Sequence, residues 1–405
     1  MLLIYNLFLR FYLILIFISS FFNKKAKKWL DGRKNNNVIR IDACVWFHFA
    51  SLGEFEQGRP VLESMRTLHT GHVIVITFFS PSGYEVRKNT PLADHVYYLP
   101  LDTAKNAAEF IGNINPSLAV FTKYEYWYHY FSELNKRDIP LYIVSGIFRP
   151  KQVFFKWYGG LYRQMLGFVT HFFVQDDQSQ ALLQTVGVTN VTVSGDTRFD
   201  RVWQNARSPK RLEVIEKFKA SKPVFIGGST WPPDEELIAT LIPLYPDWKF
   251  VIAPHEIGEA KIQALLKLLP EGKAIRFSEI NAPLALDNYA VLIIDNIGML
   301  SSLYQYGEIA FIGGGFGAGI HNILEAAAFG LPVIFGPRYE KFKEARDVVE
   351  KQLGFSVVNQ EELKEVADIL IADRAYRTET GEKIQAYVKA NTGATEMILT
   401  FINFK

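Results

Sequence analysis

The chain contains 405 residues, of which 49% are hydrophobic and 21% are charged, and its formal net charge is +2. This length predicts two or three domains with sizeable cores, and the small net charge gives no signature of nucleic-acid binding. The single cysteine, Cys44, excludes a disulfide framework and a cysteine-rich metal site. Aromatic residues make up 14% of the chain, which favours contact with an apolar partner.

The most hydrophobic segment is the N-terminal stretch 1–22, which Arg10 interrupts. Its uninterrupted part, 11–22, is short for a helix that spans a bilayer, and no small-residue cleavage site follows, so we predict no removable signal peptide. We predict a membrane anchor or an interfacial helix at 1–22, with the catalytic body in the cytoplasm; a buried N-terminal helix is the alternative. Basic residues that would suit anionic lipid headgroups come next: Lys24, Lys25, Lys27 and Lys28.

From residue 38 onward, short apolar runs alternate with helix-length segments. This alternation predicts an α/β fold with helices on both faces of parallel sheets. A polar segment between Arg198 and Ser221 separates two series of predicted strands. We therefore predict Rossmann-like domains at 23–205 and 206–374 that face each other across a cleft. A final helical segment, 375–405, is predicted to pack on the first domain. The predicted strands are Val45–Phe49, Val73–Phe78, Val96–Leu99, Leu118–Phe121, Leu141–Val144, His171–Val174, Val224–Ile226, Phe250–Ala253, Val291–Ile294, Ile309–Ile312, Val333–Phe335 and Phe355–Val358.

Two glutamates follow predicted strands of the first domain. Ser51 and Glu54 come after the first strand with the spacing of a capping box, in which Glu54 would serve only the start of a helix. The alternative is a general base at the carboxyl end of a strand, able to take a proton from an incoming hydroxyl. Glu125 follows the fourth strand and therefore lies on the same rim. It is either a second acidic group of the cleft or a surface helix residue.

The segment 309–337 runs from an apolar strand into a glycine-rich loop and then into a helix-like stretch. Such a pattern brings backbone N–H groups and a helix N-terminus close to an anion. The spacing does not fit the dinucleotide fingerprint, so a ligand loop and a tight structural turn are both open interpretations. We expect Glu325 on the same helical face as His321, where it either binds the hydroxyls of a ribose or is a solvated residue.

Further candidate loops follow other strands. Gly227–Thr230 precedes a helix start and is a second candidate anion loop, while His255 and Asp295–Gly298 end the next strands. In the first domain, basic and aromatic residues interleave over 148–163, which suits either a lipid phosphate with nearby acyl chains or ordinary core packing. No cluster has the spacing of metal ligands, so we expect metal-independent chemistry without a cofactor.

These segments together resemble the 3-deoxy-D-manno-octulosonic acid (Kdo) transferases of lipopolysaccharide assembly, which have the GT-B glycosyltransferase fold. The resemblance covers nearly the whole chain, including the anchor. The S-x-G-E element followed by the GG…G-x-H-N-x-L-E block is quite specific, whereas either alone would be weak. The segments that carry the resemblance are FASLGEFEQGRP (49–60), Glu125–Trp127, Gly195–Asp200, Gly227–Thr230, Asp295–Tyr304 and the block 313–337.

The resemblance implies transfer of Kdo from CMP-Kdo to a lipid A precursor (lipid IVA), with inversion at the anomeric carbon, at the cytoplasmic face of the cell inner membrane. Glu54 then matches the catalytic base of the family and Glu125 its second acidic position. The implied partners are CMP-Kdo, the lipid A precursor and inner-membrane lipids, with no nucleic acid. The positions that match regions holding the CMP moiety are Gly228, Ser229, Thr230, His255, Asn296, Gly298, Gly313, Gly314, Gly315, Gly319, His321, Asn322 and Glu325.

One departure from the family pattern concerns the nucleotide phosphate. The usual P-R-H element is Pro254-His255-Glu256 here, so the expected arginine is missing, and Arg198 or Lys341 is a candidate substitute. Two other functions are open. Another GT-B nucleotide-sugar enzyme, such as a cell-envelope transferase or an epimerase, would not predict S-x-G-E together with E-x-W. An inactive membrane-tethered sugar-binding or scaffold protein would not need Glu54.

Overall fold

The computed structural model describes residues 1–34, 36–68, 70–123, 125–280 and 285–402. The chain forms two compact units. The first comprises Met1–Arg201 together with Asn391–Lys405, and the second comprises Val202–Ala390. The chain therefore leaves the first unit once and returns to it near its end.

The first unit is built on a seven-stranded parallel sheet with the order β3-β2-β1-β4-β5-β6-β7. All residues of the central strand β1 are buried, as expected for a parallel sheet that helices cover on both faces. Its strands are β1 (Cys44–Phe49), β2 (Ile74–Phe78), β3 (His95–Tyr98), β4 (Pro116–Thr122), β5 (Leu141–Gly146), β6 (His171–Val174) and β7 (Val191–Val193). The helices that begin in the N-terminal part of the chain are α1 (Leu2–Ser19), α2 (Lys24–Lys34), α3 (Leu52–Leu68), α4 (Pro81–Arg87), α5 (Ala104–Ile114), α6 (Tyr128–Lys136), α7 (Gly160–Leu166), α8 (Asp177–Gln184) and α9 (Thr197–Arg207).

The second unit also contains a seven-stranded parallel sheet, with the order β10-β11-β9-β8-β12-β13-β14. Its strands are β8 (Val224–Thr230), β9 (Lys249–Pro254), β10 (Ala274–Arg276), β11 (Val291–Ile293), β12 (Ile309–Ile312), β13 (Val333–Phe335) and β14 (Gly354–Ser356). The remaining helices are α10 (Glu213–Lys219), α11 (Pro232–Leu241), α12 (Glu259–Leu268), α13 (Leu300–Leu303), α14 (Leu324–Ala328), α15 (Lys343–Glu350), α16 (Gln360–Ala372), α17 (Arg374–Ala390) and α18 (Ala394–Phe401).

Both sheets reverse their strand order at one point. In the first unit this point lies between β1 and β4, and in the second between β8 and β12. Ligands of doubly wound sheets bind outside the carboxyl ends of the strands at such a reversal. The predicted α/β fold with two Rossmann-like domains is confirmed. The candidate loops after β1, β4 and β12 follow strands at these two points. Gly227–Thr230, predicted as a loop, instead lies within β8, and His255 and Asp295–Gly298 follow β9 and β11.

The structure contains two strands that the sequence pattern does not predict. Each of the predicted strands has a counterpart, but Val191–Val193 and Ala274–Arg276 were not predicted. Both are three residues long and lie at a sheet edge. A run this short carries too little periodicity to be recognised, and its pairing depends on a neighbour that only the fold supplies.

The C-terminal segment is shared between the units. α17 belongs to the second unit, whereas the residues from Asn391 onward belong to the first. There the Asp200 carboxylate accepts hydrogen bonds from Gly393 N over 2.6 Å and from Thr395 N over 2.8 Å. Ile398 and Ile402 are buried in the core beside β1 and β2.

Helix α1 is 18 residues long with a mean hydropathy of 2.1, which meets the length and composition of a membrane-crossing helix. Only 11% of it is buried. The exposed apolar surface does not fit the alternative of a buried N-terminal helix and indicates membrane association.

Candidate active site

Glu54 lies in the first turn of α3, directly after β1. The Ser51 hydroxyl donates a hydrogen bond to its carboxylate and accepts one from the N–H of Gly53 over 3.3 Å. Ser51 therefore both caps the helix and orients the Glu54 carboxylate. Glu54 is only half-buried, so the cap leaves the carboxylate within reach of a reacting group.

Glu125 lies in the loop between β4 and α6, and two side chains hold its carboxylate. Nε1 of Trp127 donates to Oε2 over 2.8 Å, and Nε2 of His48 lies 3.2 Å from the same oxygen. The Glu125 side chain is 15% exposed, which does not fit a surface helix residue. Because β1 and β4 pair in parallel, Glu54 and Glu125 follow neighbouring strands at the reversal point of the first sheet.

A buried hydrogen-bond chain behind Glu125 was missed by the sequence analysis. His48 is fully buried, and its Nδ1 lies 2.8 Å from Oγ1 of Thr77, which accepts from Nε1 of Trp46 over 2.8 Å. The Thr77 hydroxyl can donate to His48 Nδ1, because its other acceptor, Phe47 O, is 3.4 Å away. A neutral His48 then carries its hydrogen on Nε2 and donates it to Glu125.

The glycine loop after β12 packs tightly against two other strand ends. A Cβ atom at Gly313 would lie 2.6 Å from Cα of Thr230, and one at Gly315 would lie 2.6 Å from Cα of Gly336. Gly314 and Gly319 have φ angles of 93° and 139°, which L side chains rarely adopt. Packing and turn geometry therefore account for these glycines whether or not a ligand binds.

Asp234 ties this loop to the start of α11. Its Oδ2 accepts from Trp231 N over 2.8 Å and from Gly314 N over 2.9 Å, and the residue is 1% exposed. Burial raises the pKa of the Asp234 carboxyl, although both hydrogen bonds oppose the shift. A protein carboxylate thus occupies two of the backbone donors that the sequence pattern offers to a phosphate.

The helix after the glycine loop begins later than predicted. α14 starts at Leu324, so His321 and Asn322 precede it and Glu325 lies in its first turn. Asn322 Oδ1 accepts from Leu324 N over 3.1 Å, and Asn322 Nδ2 lies 3.4 Å from Glu325 Oε1. The expectation that His321 and Glu325 share a helical face is wrong, because the helix begins only at Leu324 and His321 lies outside it. A five-residue helix also offers little dipole to an anion.

His321 belongs to an aromatic cluster with Trp231 and His255. The rings of His255 and His321 stack with centroids 4.4 Å apart, and Trp231 stacks on His255 at 4.8 Å. Nε1 of Trp231 donates to Nε2 of His321 over 3.0 Å. Burial, with the neighbouring His255 as a second cause, lowers the pKa of His321 to about 4. His321 is therefore neutral near pH 7, with its hydrogen on Nδ1 available to a ligand.

The residues after β11 divide into structural and open positions. Asp295 accepts a 2.9 Å hydrogen bond from Nε of Arg276, so it supports the sheet edge. The Asn296 Oδ1 atom is buried and has no hydrogen-bond partner within the part of the chain that the structure describes. A buried acceptor of this kind favours a ligand donor. Gly298 is exposed, with a φ of 97°.

Comparison with known proteins shows which family the chain is similar to. The family described as 3-deoxy-D-manno-octulosonic-acid transferase (kdotransferase) matches residues 21–201. A 3-deoxy-D-manno-octulosonic acid transferase of Haemophilus influenzae is 26% identical over 372 residues, which cover 88% of this chain and 86% of that protein. Residues 21–201 thus match the Kdo transferase family model, and the chain is similar to Kdo transferases over most of its length. Members are glycosyltransferases of lipopolysaccharide biosynthesis, as the sequence motifs predicted.

A longer relative and a solved structure extend the comparison. A bifunctional glycosyltransferase/methyltransferase of Fusobacterium nucleatum is 23% identical over 401 residues, which cover 96% of this chain but 61% of that protein. UDP-GlcNAc 2-epimerase of Neisseria meningitidis superposes with a TM-score of 0.62 at 15% identity, over 88% of this chain and 98% of its own. At this identity the likeness concerns the fold alone, which is the predicted GT-B fold.

Arg338 is a basic residue that the sequence analysis missed. The Kdo transferase family usually has an arginine in the P-R-H element, which this chain lacks. Nη1 of Arg338 donates to Gly317 O over 2.6 Å, so a cation is attached to the glycine loop. Of the two earlier candidates, Arg198 pairs with Asp196 over 2.7 Å in the first unit, and Lys341 is exposed, as Arg338 is. Nothing in the local sequence around Arg338 marks this contact.

Backbone strain accompanies several strand ends in both units. Lys123 after β4, Ser145 in β5 and Ser229 in β8 have φ angles of 67°, 52° and 52°. Residues other than glycine rarely adopt positive φ, and such strain concentrates at functional sites.

Over the described residues, no group of three His, Cys, Asp or Glu side chains is arranged to hold a metal ion.

Proposed function

We propose that the protein transfers Kdo from CMP-Kdo to a lipid A precursor, lipid IVA, with inversion at the anomeric carbon. One observation carries the proposal. Two glutamates of the family motifs, Glu54 and Glu125, follow β1 and β4, the paired strands at the reversal point of the first sheet. Ligands of this fold class bind at that point, and the similarity to Kdo transferases supports Kdo as the sugar.

The proposed mechanism is a single displacement. Glu54 takes the proton of the acceptor hydroxyl as its oxygen forms a bond to the anomeric carbon of Kdo. The bond between that carbon and the phosphate oxygen of CMP breaks, and CMP leaves with the electron pair. The Ser51 hydroxyl orients the Glu54 carboxylate. Glu125, fixed by Trp127 and His48, serves as the second acidic group of the acceptor site.

The CMP moiety is assigned to the second unit. Negative charge grows on the phosphate as the bond breaks, and fixed donors would stabilise it without reorganisation. The hydrogen on His321 Nδ1 and the guanidinium of Arg338 are the donors that the geometry favours, and Glu325 is assigned to the ribose. The other predicted positions stay in this site: Gly228, Ser229, Thr230, His255, Asn296, Gly298, Gly313, Gly314, Gly315, Gly319 and Asn322.

Two properties of the setting belong to the proposal. We place the reaction at the cytoplasmic face of the cell inner membrane, because the acceptor is a lipid and α1 exposes an apolar surface. We also propose that turnover needs no divalent cation or other cofactor. Addition of EDTA should leave the rate unchanged, and a rate restored only by added Mg²⁺ would contradict this.

The deciding experiment incubates the purified full chain with CMP-Kdo, generated in situ, and tetra-acylated lipid A precursor. Mass spectrometry should show a mass increase of one or more Kdo units. No product with CMP binding intact would point to another acceptor. Turnover of UDP-sugars but not CMP-Kdo would favour another GT-B nucleotide-sugar enzyme of the cell envelope. Binding without any turnover would favour an inactive sugar-binding protein.

A further inference from the structure

Helix α1 contacts the first unit along one face. Tyr5, Asn6, Leu9 and Tyr12 recur at the spacing of one helical face, and Leu9 is 5% exposed. The ring of Tyr12 packs against Trp29 of α2, with centroids 6.1 Å apart. These contacts lie within the segment that hydropathy alone marks as a membrane-crossing helix.

Two polar contacts fix the N-terminal half of α1. Tyr5 Oη donates to Asp102 Oδ2 over 2.5 Å, and Asn6 Oδ1 lies 2.7 Å from Nε2 of His129. Asp102 is 1% exposed and also accepts from His129 N and Tyr130 N, which begin α6. α1 is therefore hydrogen-bonded to a buried carboxylate that caps α6 of the first unit.

The C-terminal half of α1 borders a groove on the first unit. Leu13, Ile14 and Phe17 line an apolar groove of about 570 Å³ together with residues of α2 and the segment after β3. The contacts of α1 with the first unit thus extend from residue 5 to residue 12, and the apolar groove continues to residue 17.

A spanning orientation is incompatible with these contacts. A helix of this length measures about 27 Å, and the hydrocarbon core of a bilayer is about 30 Å thick. All of α1 would have to enter the core to cross it. Asp102 and His129 would then either follow α1 into hydrocarbon, which is costly for ionisable groups, or lose their contacts with Tyr5 and Asn6.

The opposite face of α1 is apolar and open. Leu3 and Leu7 are 84% and 67% exposed, and the same stripe continues towards the C-terminal end. The next helix, α2, buries Ala26 and Trp29 against the body and exposes its basic residues: Lys24, Lys25, Lys27 and Lys28. An apolar helical face beside exposed lysines is complementary to an anionic lipid surface.

We infer that α1 lies in the plane of an anionic phospholipid membrane and does not cross it. The hydrogen bonds of Tyr5 and Asn6 hold α1 against the first unit. The outer stripe enters the acyl boundary, and the lysines of α2 contact the headgroups. The first unit is then held at a fixed distance from the membrane surface. This arrangement does not depend on which sugar the protein transfers.

Nitroxide scanning of the full chain on phosphatidylcholine/phosphatidylglycerol vesicles tests the orientation. Labels are placed singly on the outer stripe at Leu3, Ile4, Leu7, Phe11 and Ile18; Cys44 is 1% exposed and remains unlabelled. An in-plane helix gives similar oxygen accessibility at all five positions. A maximum at Phe11 with low values at both ends would show a spanning helix and overturn the inference.

Two sets of variants test the contacts of Tyr5 and Asn6 and the preference for anionic lipid. Tyr5→Phe combined with Asn6→Ala should make the depths of the five labels unequal, while Leu15→Ala, on the open side, should not. Replacing the four lysines by glutamine should reduce binding to phosphatidylglycerol vesicles at least tenfold and leave binding to pure phosphatidylcholine unchanged. Equal binding of the unaltered chain to both vesicle types would exclude an anionic partner.

Discussion

At the scale of single residues, the two glutamates of the candidate site have different surroundings. Glu54 receives one side-chain hydrogen bond, from its helix cap, and is half-buried. Glu125 is also half-buried, but its carboxylate is held by an indole and an imidazole. A general base must meet the incoming hydroxyl, whereas a positioning group benefits from rigidity. This difference favours Glu54 as the base.

Glu54→Gln should lower turnover by about 10²- to 10⁴-fold, because the amide cannot take the acceptor proton. CMP affinity should remain within about twofold, since Gln can still accept the Ser51 hydrogen bond. Steady-state kinetics and calorimetry with CMP measure the two quantities. An equal loss of both would mean that Glu54 acts mainly as a helix cap.

His48 is expected to act through Glu125. His48→Phe removes the Nε2–H donor and should lower turnover by about 10- to 100-fold, because small displacements of a positioned group are costly. Thr77→Ser, which keeps the hydroxyl next to His48 Nδ1, should stay close to the unaltered enzyme. Kinetics and thermal unfolding are measured on both variants. If turnover in His48→Phe falls only in proportion to its folded fraction, the role is structural.

The lowered pKa of His321 predicts a pH dependence of stability. An unfolded chain binds the proton near the ordinary value of 6.5, and the folded chain only near pH 4. Unfolding therefore takes up a proton between these values, so the free energy of unfolding should fall as the pH drops through this window. His321→Gln should flatten the dependence in urea unfolding at pH 4.5 and pH 7. An NMR titration of His321 near pH 6.5 would contradict the assignment.

At the scale of elements, the glycine loop is a packed junction as much as a ligand loop. It joins the end of β12 to the start of α11 through Asp234 and meets Gly336 after β13. Arg338 holds the outer part of the loop through Gly317. Any ligand therefore binds to a surface that packing has already formed, which lowers the entropic cost of binding.

Two glycines of this loop differ in their surroundings and form a matched pair. Gly313→Ala would place a methyl group against Thr230 Cα and Asp234, and overpacking of this kind costs about 1–3 kcal/mol. Gly317→Ala meets nothing closer than 3.6 Å and should be neutral. Chemical denaturation compares the two variants. Equal stability of both would show that the loop can yield to a side chain.

At the scale of the whole molecule, the chain returns to its first unit after building the second. The return is secured at Asp200, within a motif that family resemblance alone would place among functional segments. Its carboxylate accepts two backbone N–H groups and the Thr395 hydroxyl at the start of α18. Asp200 is therefore a structural residue that closes the first unit.

Asp200→Ala should lower the free energy of unfolding of the first unit by about 1–2 kcal/mol, the usual cost of a lost helix cap. α18 would also release Ile398 and Ile402 from the core beside β1. Thr395→Val, which removes only the hydroxyl contact, should cost less. Hydrogen exchange of α18 amides gives the local effect, and unchanged protection in Asp200→Ala would contradict the assignment.

The sequence by itself determined the alternation of strands and helices, the resemblance to Kdo transferases and the segments that carry it, because buried strands and glycine turns leave local patterns. Tertiary structure decided which loops lie at a reversal point, since strand order depends on pairing between distant segments. It also revealed the contacts of His48 and Arg338, and it placed α1 along the body. Hydropathy describes how apolar a helix is, whereas its orientation depends on partners such as Asp102 that lie far away in the chain.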